Sequence, residues 1–338
     1  MNKPPFEINE NILNLVTTIT EKLTRLEINV DRKKDLFLRK SNKIKSVNSS
    51  CAIEANTLNE EEVISVINGK TVLAPQKEIK EVKNAYEAYT NITNYDPYEI
   101  ESFLRAHKNL TTDLISESGK FRSGDVGVFD GKEVIHMGAR PEYVPKLIED
   151  LFNWAKESDL NPIIKSSVIH FEIEFIHPFN DGNGRIGRLW QSLILCKYNS
   201  IFDYLPIETL VYENQQQYYV ALSKAEKDAS STVFIEFMLN MILQTIEKFD
   251  TSNLLAKIKE EYLKELTKTE KEVLSTLINH FNKNELLDTD TAVTLLNKSK
   301  VNIRKYFGKF MKLNILIPIG ENKGRKYKLN EEIKKVIS

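Results

Sequence analysis

The chain has 338 residues, enough for a sizeable core and more than one domain. Its formal net charge of −1 points to no polyanionic partner for the whole chain, and two cysteines, Cys51 and Cys196, exclude a disulfide framework and any zinc-like spacing. No N-terminal segment has the order of a signal peptide, and the longest apolar run, around Leu189 to Cys196, is broken by Gln191 and Ser192; the expectation is a cytoplasmic protein with no membrane partner.

The charge is unevenly shared. From Lys264 onward 16 Lys and Arg stand against 9 Asp and Glu, a balance of +7 that leaves −8 for the first 263 residues. A basic tail on an acidic body suggests two units with different partners.

Most of the first 260 residues read as helix. Ile12, Leu15, Val16, Ile19, Leu23 and Leu26 recur at helical spacing, as do Ile79, Val82, Ala85, Tyr86 and Tyr89. Asp96 followed by Pro97 reads as a cap and first turn for a helix through Ile100, Phe103 and Leu104. A further helix follows Pro141 through Val144, Leu147, Ile148, Leu151 and Trp154, and Asn161-Pro162 starts another. Between them, residues 121–138 are punctuated by Gly124, Gly127, Gly131 and Gly138. Asp130-Gly131 is a hairpin signal, and the segment reads as a β-hairpin flap on a helical domain.

The next helix is expected to end near Ile176, although Phe171-Glu-Ile-Glu-Phe175 taken alone alternates like a strand. A loop then runs from His177 through Pro178, Phe179, Asn180 and Asp181 to Gly182, Asn183, Gly184, Arg185 and Arg188. A second helix carries Ile186, Leu189, Trp190 and Leu193. Gly182, Asn183 and Gly184 thereby fall at a helix N-terminus, where free N–H groups and the helix dipole attract an anion. Arg185 and Arg188 add two guanidinium forks, a set suited to a polyphosphate. Asp181 is placed to hold Mg²⁺ bridging phosphates, and His177 to take a proton from a hydroxyl. Gly182-x-Gly184-x-x-Gly187 also spells the dinucleotide-binding fingerprint, with Asp203 near its acidic position. That reading requires a strand immediately before the glycines and a βαβ unit, which the pattern does not supply.

Residues 249–266 read as a charged helical linker. In the tail, helical patterns cover Lys268 to Phe281, Thr289 to Leu296 and Ser299 to Lys312, followed by strand-like Ile315 to Ile319 and Lys326 to Leu329. Three helices and a hairpin make a winged-helix pattern over residues 267–338. Its third helix carries Lys300, Arg304, Lys305, Lys309 and Lys312, and Lys323, Arg325, Lys326 and Lys328 populate the proposed wing. DNA, a docked target and a second copy of the chain are all compatible partners for it.

The loop resembles the signature of the Fic family, H-P-F-x-[DE]-G-N-G-R-x-x-R. His177, Pro178, Phe179, Asp181, Gly182, Asn183, Gly184, Arg185 and Arg188 match every fixed position. The resemblance implies a mainly α fold: a Fic-type helical core at 96–248 with its flap at 121–138, an N-terminal helical region at 1–95, and a small winged-helix domain of the kind found on some bacterial relatives. It implies a protein adenylyltransferase, moving AMP from ATP to a Ser, Thr or Tyr hydroxyl of a protein target, with self-modification as one outcome. His177 would be the base, and Asp181 the Mg²⁺ ligand. Asn183 with the Gly182 and Gly184 backbone would meet the α-phosphate, Arg185 the β-phosphate and Arg188 the γ-phosphate. Lys132, Glu133, Val134, Ile135, His136, Met137 and Gly138 would form the target-docking flap, and Tyr218, Tyr219 and Leu222 the adenine-side wall. Ser49 to Asn56 resembles the family's inhibitory motif [ST]-x-x-x-E-[GN]. Ser50 and Glu54 fit, with Ala55 in place of Gly or Asn; Ser50 is expected to cap a short helix and Glu54, one turn along, to take the γ-phosphate's place on Arg188. Two other functions stay open on the residues: a DNA-binding regulator whose core senses nucleotide without turnover, and a phosphotransferase variant.

Overall fold

The computed structural model describes residues 3–29, 36–130, 133–257, 263, 265–281, 284–320, 324–331 and 333–334. The chain divides into two compact units, 1–246 and 247–338. The N-terminal helical region and the core expected from residue 96 thus fall in one unit.

The first unit is helical, with one small sheet. Its helices are α1 (Glu10–Asn29), α2 (Leu36–Ile53), α3 (Glu60–Ile67), α4 (Gln76–Thr90), α5 (Ile100–Thr111), α6 (Val144–Glu157), α7 (Pro162–Ile176), α8 (Asn183–Tyr198), α9 (Ile207–Glu213), α10 (Gln215–Lys227) and the first part, to residue 246, of α11 (Thr232–Lys257). An antiparallel hairpin, β1 (Gly127–Asp130) and β2 (Glu133–Met137), lies between α5 and α6, pairing Gly127 with Met137 and Val128 with His136. Gly131 and Lys132, at the expected tip, lie outside the described residues, and of Glu133, Val134 and Ile135 only the backbone is described.

The pair α7–α8 sits at the centre. Ile169, His170, Leu189, Trp190 and Leu193 are wholly buried, and α8 is in contact with α7, α5 and α2. Both helices are buried nearly all round, which explains why the apolar pattern of α7 blurs between helix and strand. Asn161 caps α7, accepting from Ile163 N at 2.9 Å, with Pro162 as its first residue. Gly187 lets the two helices close up. A Cβ there would stand 2.9 Å from His170 Cδ2.

Two expectations are corrected. The helix expected from Asp96 begins at Ile100. Asp96 Oδ1 instead accepts from Tyr98 N at 2.8 Å, making a turn before the helix. Ser50 caps nothing: it lies in the last turn of α2, and Glu54 follows the end of that helix. The long α2 escapes an apolar-periodicity reading because much of its buried face is polar. Asn42 donates to Tyr204 O (2.7 Å), Ser46 to Glu208 Oε2 (2.6 Å) and Ser49 to Thr209 Oγ1 (3.2 Å). The residues preceding the glycine loop are helical, so no strand precedes it, in keeping with the rejection of the dinucleotide-binding fingerprint.

The second unit holds α12 (Lys268–Phe281), β3 (Leu287–Asp288), α13 (Thr289–Leu296), α14 (Lys300–Lys312), β4 (Leu316–Ile319) and β5 (Lys326–Leu329). The strands form one antiparallel sheet in the order β3-β5-β4; β3 adds a strand that the sequence pattern did not mark. Leu274, Leu277, Ile278, Ile303, Phe307 and Phe310 are central to its core. The expected linker, 249–266, is described only as the end of α11 and at Leu263, Glu265 and Leu266. Among the described residues no helix is long and apolar enough to cross a membrane.

Candidate active site

α7 ends at His177, which adopts a left-handed conformation (φ +54°, ψ +61°). For a residue with a Cβ this costs about 1 kcal/mol and must be held by its surroundings. His177 Nδ1 lies 3.2 Å from Glu174 O. A carbonyl only accepts, so Nδ1 carries the proton and Nε2 keeps its lone pair. Burial lowers the imidazole pKa against the opposing pull of the Glu174 carboxylate, while His136 and Arg122 lower it further. A neutral His177 with a free Nε2 is suited to accept a proton.

The loop after it is tightly fixed. Phe179 is fully buried and stacked on His107, with ring centroids 3.6 Å apart. His107 Nδ1 accepts from Gly119 N at 3.0 Å, so its Nε2–H donates to Asp181 O at 2.9 Å. Burial pushes His107 down to about 4, keeping it neutral. The Asn183 side chain is committed at both ends to the main chain of Phe179, accepting from its N (2.9 Å) and donating to its O (2.8 Å). It is also buried, so the loop's fastening, not a phosphate contact, is where its amide is spent. Gly182, at φ +87°, leads into α8.

Arg185 and Arg188 are buried on α8. Arg185 Nη2 donates to Asp181 Oδ1 at 3.0 Å, and Nη1 lies 3.6 Å from Glu81 Oε1; its Nε and Nη1 have no hydrogen-bond partner among the described residues. Buried donors without acceptors are costly, and an anion beside them would satisfy them. Arg188 donates from Nη2 to Glu54 Oε1 at 2.6 Å and to Ser50 O at 3.1 Å, and from Nε to Ser50 Oγ at 3.1 Å. Burial works against its charge, but Glu54, together with Tyr218 and Glu174, holds the guanidinium above its ordinary pKa. A Cβ on Gly184 would overlap Glu54 Oε1. Glu54 therefore lies against the first turn of α8, where an anion from solution would bind.

Asp181 is part-exposed, and its Oδ1 also accepts from Gly182 N at 2.6 Å. Among the described residues no group of three or more His, Cys, Asp or Glu is arranged to hold a metal ion. A lone carboxylate fits Mg²⁺ only as that ion is used with phosphates, taking its other ligands from the nucleotide and water.

The expected adenine wall splits. Tyr218 is buried, its hydroxyl donating to Glu174 Oε1 at 3.2 Å and lying 3.0 Å from His170 Nε2, so its ring presents no face to a ligand. Tyr219 is half exposed and Leu222 half-buried. Tyr219 Oη and Gln215 Nε2 both donate to Ile53 O, at 3.3 and 3.0 Å, tying α10 to the end of α2. In the hairpin, His136 Nδ1 lies 2.9 Å from Glu226 Oε1, Met137 is exposed, and Gly138 packs against His177 and Arg122. Sequence reasoning missed His107, Arg122, Glu174 and Glu81. They lie outside the loop's motif and meet it only through the fold.

Residues 97–195 match the family model described as the Fic/DOC family. A crystal structure of a Fic family protein from Desulfovibrio desulfuricans G20 is 33% identical, covers 97% of this chain and 98% of that one, and superposes with a TM-score of 0.72. The chain belongs to the Fic family. Among curated Fic relatives, a probable protein adenylyltransferase of Aquifex aeolicus is 30% identical over 147 residues, 41% of this chain and 42% of that protein. A protein adenylyltransferase of Caenorhabditis elegans is 29% identical over 136 residues, 39% of this chain. The chain thus spans 42% and 25% of the lengths of these two relatives. A structure of Fic-1 from C. elegans, residues 134–508, shares the Fic fold at 20% identity with a TM-score of 0.60, over 70% of this chain and 71% of that one.

Proposed function

We propose that the chain is an auto-inhibited protein adenylyltransferase, transferring AMP from ATP to a Ser, Thr or Tyr hydroxyl of a protein and releasing pyrophosphate. One observation carries the reading: a carboxylate of the chain itself, Glu54, sits on Arg188 above Gly184, where the helix start and two buried arginines would hold phosphates. The curated relatives named protein adenylyltransferases support the reaction class.

In this reading His177 Nε2 takes the hydroxyl proton as the oxygen attacks the α-phosphorus. The bond from that phosphorus to the bridging oxygen breaks, and pyrophosphate leaves. Main-chain N–H groups at Gly182 to Gly184 meet the α-phosphate, the unpaired donors of Arg185 the β-phosphate, and Arg188 the γ-phosphate. Asp181 would hold Mg²⁺, which neutralises phosphate charge when bound. Tyr219 and Leu222 flank the adenine, and the hairpin backbone pairs with the target. With Glu54 on Arg188, the γ-phosphate lacks its partner and the α-phosphate is held out of line.

The test is label transfer from ATP carrying the label on either the α- or the γ-phosphate. Glu54→Gly should raise transfer of α-label to protein at least tenfold over wild type, and His177→Ala in that background should abolish it. Transfer of γ-label instead would establish phosphotransfer, and equal activity of Glu54→Gly and wild type would remove the brake.

For the second unit we propose a winged helix that binds duplex DNA. Val301, Arg304, Lys305 and Lys312 are exposed on α14, beside half-buried Gly308, around which a Cβ would meet nothing within 4 Å among the described residues; exposed Arg325 and Lys326 begin β5 and its approach. A glycine in mid-helix with no packing need permits close approach of a phosphate backbone. Duplex affinity of the full chain should fall steeply between about 50 and 200 mM salt, and Arg304→Ala with Lys305→Ala should remove it. Salt-independent or absent binding would return the basic face to a solvated surface.

A further inference from the structure

Arg122 lies in the irregular segment between α5 and β1, at the start of the expected flap but assigned no role by any motif above. It is 3% exposed, and its side-chain partners are main-chain carbonyls. Nε donates to His177 O at 2.7 Å, Nη1 to Gly124 O at 2.8 Å, and Nη2 to Ala139 O and to Ile176 O, the latter at 3.4 Å. The Arg122 main-chain N–H donates to Pro178 O at 3.1 Å.

Those carbonyls come from three places. Gly124 enters the hairpin and Ala139 leaves it, while Ile176 and His177 end α7. One guanidinium thus closes both feet of the hairpin onto the residue that carries the imidazole. The carbonyls ending α7 lack helical partners and form the negative end of its dipole, so a cation is favoured there. Ala139 N donates to Ile176 O at 3.2 Å, a second tie along the same seam. Gly138 is required for the approach: its Cβ would lie 2.9 Å from Arg122 Nη2 and 3.0 Å from His177 Cβ. The left-handed conformation of His177 is fixed on its N–H side by Ile173 O and on its carbonyl side by Arg122.

We propose that Arg122 is a positioning residue that makes the His177 imidazole and the target-presenting hairpin one rigid piece, so that the incoming hydroxyl meets the base in register. The inference rests on the reading of His177 as the base. A planar five-donor fork serves four carbonyls at once; a lysine ammonium reaches fewer, and a glutamine offers a single amide.

The charges facing His177 set the signature that separates positioning from general structural support. Glu174 on its own helix raises the imidazole pKa, while His136 on β2 and Arg122 lower it. Removing the Arg122 charge therefore moves the acid limb of a rate–pH profile to higher pH, whereas Lys retains the charge.

The experiment places Arg122→Gln and Arg122→Lys in a Glu54→Gly background, with self-modification by α-labelled ATP-Mg²⁺ as the rate probe and fluorescent-ATP titration for nucleotide affinity. Arg122→Gln should lower the rate at least tenfold, leave nucleotide affinity within twofold and shift the acid limb upward. Arg122→Lys should keep the limb in place and recover part of the rate. An unchanged rate overturns the proposal, as does a loss of nucleotide affinity matching the loss of rate. If the Glu54→Gly parent transfers no α-label, the catalytic reading fails on its own. The proposal is then decided by NMR titration of His177, where an imidazole pKa unchanged by Arg122→Gln overturns it.

Discussion

Ala55 has a φ of +63°, a conformation that glycine and asparagine accept readily and alanine does not. The departure from the inhibitory pattern at this position therefore has a physical meaning: the pattern asks for a residue that can turn left-handed just after α2. Ala55 makes the turn anyway, with its N–H donating to Ala52 O at 3.0 Å and Asn56 N to Cys51 O at 3.2 Å. Asn56 anchors the far side, its amide donating to Glu78 O and Glu81 Oε2 at 3.1 and 2.9 Å. Ala55→Gly should relieve about 1 kcal/mol of strain. In the proposed auto-inhibited reading that relief favours Glu54 on Arg188, and basal AMP transfer should fall about fivefold. Thermal unfolding and label transfer on the same samples check this; a variant neither more stable nor less active would show that the turn carries no strain.

At the scale of elements, the pair α7–α8 holds His177, the proposed base, at the end of one helix and the proposed anion site at the start of the next. Their close packing depends on Gly187. Gly187→Ala places a methyl 2.9 Å from His170 Cδ2 and 3.3 Å from Glu174 Oε1. Spreading the helices should cost about 1–3 kcal/mol and lower the rate, because Glu174 O also fixes the His177 tautomer. Denaturant unfolding with activity on the same variant tests it, and an unperturbed enzyme would mean His170 yields freely. The loop between these helices was legible because its chemistry is contiguous in sequence, and α7 because Asn161-Pro162 marks its start. The tail helices were legible from amphipathic spacing, with bounds at Lys268, Phe281, Thr289 and Leu296 as read. By contrast α2 was hidden, since Asn42, Ser46 and Ser49 bury polar groups against α9 and the turn before it. Arg122 and His107 were hidden because they act on main-chain atoms distant in sequence, which no local pattern records.

For the whole molecule, a buried group and a half-buried one pull stability in opposite directions with pH. Burial pushes His107 down to about 4 from an ordinary 6.5, so the unfolded chain takes up a proton that the folded one refuses. Stability from this source is lost as pH falls from about 6.5 towards 4. Burial pushes Glu172 up to about 7 from 4.5, so the folded chain holds a proton that the unfolded one releases. That contribution is present below about 4.5 and is lost as pH rises towards 7. Each is worth up to about 3 kcal/mol. The two slopes largely offset each other between about pH 4.5 and 6.5, with the lowered His177 adding to the His107 side. Glu172→Gln should make stability climb with pH across that window, and His107→Gln should make it decline. Urea unfolding at stepped pH checks both; three parallel curves would contradict them.

Glu54 reaches Arg188 from the same chain, through a turn pinned by Asn56, Tyr219 and Gln215. In the proposed auto-inhibited reading, a tethered carboxylate of this kind competes at an effective concentration, on the order of millimolar or more, that dilution does not change. Any free anion must match that standing concentration before it displaces Glu54. In that reading, loosening the last turn of α2 lowers the threshold without touching the arginine. The set-point of the site is thereby written into the length and stiffness of a few residues between Ile53 and Asn56.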